Sequence, residues 1–272
     1  MSDAIADPLA AAIRSGSASI QKRSGTLLSV ASIVGGLVLW QVATQGYSRF
    51  VLAPPTAVFA RLWELTVSLD LPHALGAALG HMVLGFAIAC IIAIPLGIAM
   101  GRSRFVHDLL DPIVNLIYAV PSVAWAPLIM IWFGLFFPAR VVLVVIMCVF
   151  DMIIVVSTGL ANADRRLTAV GRAFGASRWQ QVRLVLLPES LPFVFTALRL
   201  GAIRAVNGMI TAELFLAAVN LGAIMKGAAV RLDSAAVLGI LLVLSVLGLV
   251  LQEVLLLAER RLCAWRNEGS RR

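Results

Sequence analysis

Residues 167–188 read LTAVGRAFGASRWQQVRLVLLP. Leu167, Val170, Gly171 and Phe174 fall at i, i+3, i+4 and i+7, the spacing of one face of a short helix. Gly175 breaks that helix. Trp179, Val182 and Leu186 restart the period on a second face, and Pro188 and Pro192 are expected to stop it. Arg165, Arg166, Arg172, Arg178 and Arg183 stud the segment. It is too amphipathic for a plain loop and too charged to cross a bilayer. It reads as a helical hairpin built to dock on something cytoplasmic, which requires a membrane on either side.

Composition supplies that membrane. Hydrophobic residues make up 61% of the 272 and charged residues only 13%, with a mean hydropathy of +0.97. A soluble domain of this size cannot hide so much apolar surface. Ser24–Ser48 carries no charge, and Leu71–Gly101 none apart from its histidines. Pro112–Ala139 and Ser234–Gln252 are also free of charge, and Val141–Ala163 holds only Asp151. Phe193–Val219 is apolar but interrupted by Arg199, Arg204 and Glu213. Runs of about 20 residues suffice to span, so the chain is expected to be an all-α integral membrane protein of about six transmembrane helices. The expected spans are residues 26–44, 74–100, 112–136, 139–160, 193–218 and 235–257, within a membrane domain at 25–258. Tails at 1–24 and 259–272 and the docking loop at 161–192 complete the organisation.

Orientation follows from Lys and Arg. With the N-terminus inside, the inner segments hold Arg14, Lys22, Arg23, Arg102, Arg104, the hairpin arginines, Arg260, Arg261, Arg266, Arg271 and Arg272. Only Arg49, Arg61, Arg140, Lys226 and Arg231 fall outside. The bias puts both termini and the hairpin in the cytoplasm, and the net charge of +8 then serves topology and anionic lipid rather than nucleic acid. Asp3 and Asp7 stand where a signal peptide carries basic residues, so the N-terminal stretch is expected to be a tail. Cys90 and Cys148 lie inside spans and Cys263 on the reducing side, which makes no disulfide framework. No metal-ligand spacing and no glycine-rich phosphate loop occur, so any nucleotide binds elsewhere.

The hairpin's Gly175, nine residues, Val185, one residue, Leu187-Pro188 resembles the cytoplasmic signature of inner-membrane permease subunits of ABC-type importers, Glu-Ala-Ala-x3-Gly-x9-Ile-x-Leu-Pro. The glycine-to-proline half matches throughout; Ala169, Val170 and Gly171 stand in place of Glu-Ala-Ala. Leu52-Ala-Pro-Pro-Thr-Ala-Val58 and the segment from Pro121 through Trp125 and Pro127 to Gly134 are similar to the nitrate, sulfonate and taurine branch. The resemblance runs from about Leu27 to Leu262. It implies a type I importer permease in the cell inner membrane, with a coupling-helix hairpin between helices 4 and 5. It also implies a permease dimer, expected to be a homodimer, two ATP-binding cassette subunits that hold ATP and Mg, and an external substrate-binding protein. The chain itself then has no catalytic site and no cofactor. Its solute is expected to be a small anion such as a sulfonate, taurine, nitrate or bicarbonate, or a pyrimidine-type precursor.

Under that resemblance Leu167, Val170, Gly171, Phe174, Gly175, Trp179, Leu187 and Pro188 couple to the ATPase; a helix lying on the lipid surface is the plainer reading. Arg204, Asn207, Gly208 and Thr211 recur at helical spacing in an otherwise apolar span. They either line the translocation path or, for Arg204, serve a structural pair with an acid such as Asp151. Pro121, Trp125 and Pro127 break span three and are candidates for a gate or for ordinary packing. Asp151 and Glu213 are intramembrane carboxylates, candidates for cavity lining or helix-helix contact, and an ion-gradient transporter would use them differently. Gly76, Gly80, Gly97 and Gly101 suggest close helix packing.

Overall fold

A computed structural model describes residues 28, 31–46, 51–162, 173–217 and 219–262. Every regular element among the described residues is helical. Helix α1 (31–43) runs into a short 3-10 turn. Next come α2 (Pro55–Val67), α3 (Asp70–Arg102), α4 (Arg104–Tyr118), α5 (Trp125–Phe133) and α6 (Phe137–Ala161). The second half of the hairpin is α7 (Arg178–Gln181) and a π-helical turn (Val182–Leu186), which lead into α8 (Leu187–Ala212). A second π turn (Glu213–Ala217), α9 (Asn220–Val230) and α10 (Ser234–Leu262) complete the order.

Among the described residues, four helical stretches are long and apolar enough to cross a bilayer: Asp70–Arg102, Phe137–Ala161, Pro188–Leu216 and Ser234–Arg261. The pair Arg104–Tyr118 and Ser122–Phe133 makes a fifth crossing if a broken span is counted, bent by 81°. The span expected at 112–136, with a break at its prolines, is therefore two helical pieces. Pro121 is the reason: its backbone is extended (φ −52°, ψ 124°), and without an N–H it starts a new turn rather than continuing the old one. The expected span at 26–44 lies partly outside the described residues, as do the tails.

Local chemistry sets the other boundaries. Pro55 sits at the first turn of α2, where its missing donor is not needed. Ser103 Oγ accepts from Val106 N–H at 3.3 Å to cap α4, and Asp233 Oδ1 accepts from Ala236 N–H at 3.0 Å to cap α10. Pro188 and Pro192 do not stop a helix; they lie in the opening turns of α8, which continues to Ala212. A proline ring displaces the carbonyl four residues before it, which for Pro188 is Leu184 inside the first π turn.

Helices α3, α6 and α8 pack side by side as the centre of the molecule, with α10 on the flank of α8. In lipid no hydrophobic force drives apolar helices together, so close approach of backbones and the dispersion it allows do the work. A Cβ at Gly85, Gly97 or Gly101 would lie 2.7 Å from the Cβ of Val144, Val156 or Leu160 respectively. Gly97 and Gly101 belong to this α3–α6 seam as expected; Gly76 and Gly80 instead have no atom within 4 Å of a Cβ. A smaller cluster seats Ala126 and Ile129 of α5 on Ala139, Leu143 and Met147 of α6, on Ala212 of α8 and on Leu216 of the second π turn.

Candidate functional site

Two places on α8 bring the sequence-selected residues together, its hairpin end and its middle. At the hairpin, Leu167, Val170 and Gly171 lie outside the described residues. Phe174 is 87% exposed, and Gly175 follows with φ at +75°, a left-handed turn that penalises any Cβ. Ser177 then opens α7: its N–H donates to Gln180 Oε1 at 2.8 Å while its Oγ accepts from Gln180 N–H at 3.3 Å. That reciprocal pair is a capping box, and its Ser-x-x-Gln signal stands in the sequence at 177–180 although the periodicity reading passed over it. Trp179 is 68% exposed, Leu187 begins α8, and Pro188 is half-buried. The corner thus presents two large aromatic side chains on a capped, turn-defined backbone.

In the middle of α8, Arg204 meets Asp151 of α6 at two points, Nε to Oδ2 at 2.9 Å and Nη2 to Oδ1 at 3.3 Å. This is the structural pair that the sequence left open for Arg204. A carboxylate buried in an apolar span needs such a partner, and the planar guanidinium supplies two parallel donors. The Arg204 side chain remains 38% exposed, on the side of α8 where Asn207 is open and Thr211 half-buried. Gly208 turns the other way: a Cβ there would come within 3.1 Å of Val144 Cα, so it closes the contact with α6. Cys148 donates its Sγ–H to Gly201 O at 3.4 Å one turn along the same interface.

The remaining candidates lie apart. Pro121 and Pro127 are exposed and Trp125 half-buried at the broken third span. Glu213 is wholly buried at the start of the second π turn, with the equally buried His81 of α3 at 3.9 Å. At the surface, Arg61 of α2 bonds Asp233 at 3.0 Å and also pairs with Glu64. The Glu64 hydrogen bond, with Asp233 beside it, raises the Arg61 pKa against a desolvation that lowers it, so this tie from α2 to the α9–α10 turn stays charged. Arg199 near the hairpin end of α8 pairs with Glu259 of α10 at 3.3 Å. Among the described residues, no group of three or more His, Cys, Asp or Glu is placed to hold a metal ion.

Residues 93–262, which contain the hairpin, the Arg204–Asp151 pair and the helices that carry them, match the family described as binding-protein-dependent transport system inner membrane component. The chain belongs to that family. It is 32% identical over 237 residues to the taurine transport system permease protein TauC of Escherichia coli, covering 85% of this chain and 86% of that one. It is 33% identical over 232 residues to the riboflavin transport system permease protein RibX of Chloroflexus aurantiacus, covering 84% and 86%. A chain of the inward-facing MetNI methionine ABC transporter superposes with a TM-score of 0.64 at 20% identity, over 72% of this permease and 98% of that chain. The fold is that of a type I ABC importer permease, and the permease is an integral membrane protein that serves the passage of small solutes.

Proposed function

We propose that this permease is the membrane subunit of an ATP-driven importer, carrying a small solute with an anionic group such as a sulfonate, taurine, nitrate or bicarbonate. The observation that carries the reading is the hairpin corner. Phe174 and Trp179 are exposed apolar knobs at a left-handed turn between two spans, on a segment too basic to enter lipid. Rigid aromatics give most to binding when a partner's pocket desolvates them. The fitting partner is an ATP-binding cassette subunit, one per permease copy, which binds ATP and Mg and does the hydrolysis. A second permease copy and an external binding protein complete the complex. Closing of the ATPase pair pulls the hairpins and rocks the permease between outward- and inward-open states.

The path runs along the open side of α8. Asn207 and Thr211 offer hydrogen bonds there, and the exposed part of Arg204 offers charge already half-compensated by Asp151. A compensated guanidinium attracts an anion without holding it, which a conducting site requires. Two relatives' names support the solute class, TauC for taurine and CmpB of Synechococcus elongatus, 29% identical, for bicarbonate, whereas RibX is named for riboflavin.

Reconstitution with its ATPase and binding protein tests the reading. Labelled taurine, methanesulfonate or bicarbonate should enter proteoliposomes only with ATP, and uptake should survive collapse of the membrane potential. Uptake driven by an ion gradient without the ATPase would refute it. Reporter fusions after residues 165 and 272 should both report the cytoplasm, and an external signal at residue 272 would overturn the orientation.

A further inference from the structure

At the end of α8 away from the hairpin, four helices converge on one carboxylate. Glu213 has no exposed surface. Its Oε1 accepts from Asn220 Nδ2 at 2.8 Å, and its Oε2 accepts from Gly222 N–H at 3.1 Å. Both donors belong to the first turn of α9, so one side chain satisfies two groups of the next helix. Asn220 holds that turn in a left-handed conformation with φ at 49°, which Asn tolerates better than most residues. Gly222 lets α9 sit directly on Glu213, since a Cβ there would be 2.6 Å from the Glu213 carbonyl carbon. The third side is closed by α3 and α6. His81, also without exposed surface, stands 3.9 Å from Oε1 and meets the Phe137 ring edge-on at 6.2 Å, and Arg140 lies over the same ring at 5.8 Å. On its far side Asn220 borders an open cavity of about 690 Å³ between α3 and α9, which Arg61, His73 and Arg231 also line.

Helix α9 has only 11 residues, about 16 Å, too short to span. It is joined to α8 through a π turn, a backbone form frequent at functional sites. We propose that Glu213 is a positioning residue for transport: its two hydrogen bonds clamp α9 to the end of the path helix α8, so that the two move as one piece. The hydrogen bonds, not the charge, do this. The functional half of the proposal rests on the importer reading above; the clamp itself does not.

Amide chemistry makes the test selective. In Glu213→Gln, the new Oε1 can still accept from Gly222 N–H while Nε2 donates to Asn220 Oδ1 after that amide flips. In Asn220→Asp, the left-handed backbone is kept but a carboxylate faces a carboxylate, and the introduced side chain turns to the cavity. In the double variant Glu213→Gln, Asn220→Asp, the glutamine donates to the aspartate and both bonds return. The measurements are hydrogen exchange of residues 219–224 in the purified permease at pH 8, where proton sharing between carboxylates is least favoured, and uptake of labelled taurine and methanesulfonate by cells with matched membrane levels. Glu213→Gln should match the natural protein in both. Glu213→Ala and Asn220→Asp should exchange about tenfold faster or more, the loss of roughly one buried hydrogen bond, and should lose most uptake. The double variant should recover both properties. Unchanged exchange in Asn220→Asp, no recovery in the double variant, or a loosened clamp with normal uptake would each overturn the proposal. If the natural protein takes up neither solute, the solute class is wrong and exchange alone decides: recovery in the double variant supports the clamp, and its absence overturns it.

Discussion

The two ends of α8 use the same backbone device in opposite surroundings. Each is a five-residue π turn, Val182–Leu186 at the hairpin and Glu213–Ala217 at the far end. At the far end a buried carboxylate finds its partners within the chain: Glu213 accepts from Asn220 and from the Gly222 amide. At the hairpin end, apolar groups are exposed and no described residue covers them, Phe174 above all. A buried polar group left alone in lipid costs several kcal/mol, so the Glu213 carboxylate must find its partners within the bundle. An aromatic exposed to water is tolerated, and it gains free energy when something covers it. The contrast separates a buried carboxylate satisfied within the subunit from exposed aromatics open to another surface.

Substitutions along α8 should therefore divide by readout. The largest loss of thermal stability is expected from Gly222→Ala, whose new methyl meets backbone rather than a movable side chain. Overpacking of that kind costs about 1–3 kcal/mol, so unfolding of the solubilised permease should shift down by several degrees. An unshifted transition would mean that α9 yields freely and that the far end is not closed.

Asp151→Asn comes next, with an expected loss of about 1–2 kcal/mol. That is below the 3–5 kcal/mol seen for breaking fully buried pairs, because Arg204 stays partly exposed. Arg204→Gln should cost a similar amount, and the double variant less than the sum of the two. Strict additivity in that cycle would show that the pair is not coupled. Slowed uptake in Arg204→Gln, at matched membrane level and with basal ATPase intact, would place the guanidinium in the path as well.

The smallest stability effect should belong to Phe174→Ala, within about 0.5 kcal/mol for so exposed a side chain. Its effect on ATPase binding should be the opposite, a loss of about tenfold or more if the ring fills a partner's pocket. Gly175→Val should act alike through the strained turn. Tight ATPase binding and normal stimulation in both variants would sink the coupling assignment for the hairpin.

What the sequence by itself determined are the properties that sum over a short window. The apolar runs at 74–100, 139–160, 193–218 and 235–257 follow from composition over about 20 residues, and described helical elements cover them, the third as far as Ala217. The glycine turn of the hairpin is local too, because Gly175 alone makes the left-handed step easy. Pro121 announced a break in the third span, but its 81° bend depends on where α5 finds its seat on α6 and α8. Tertiary structure alone decided what touches across long separations. Arg204 could have lined the path unpaired, and only the register of α8 on α6 brings it to Asp151, 53 residues away. The same register turns Gly208 from the polar stripe into the helix contact, and that of α3 on α6 selects Gly97 and Gly101, not Gly76 and Gly80, for the α3–α6 seam. His81, Asn220 and Gly222 gave no local signal of their meeting at Glu213. Helical spacing says which residues share a face; the rotation and depth at which that face meets its neighbour are set by packing, and packing is a property of the whole bundle.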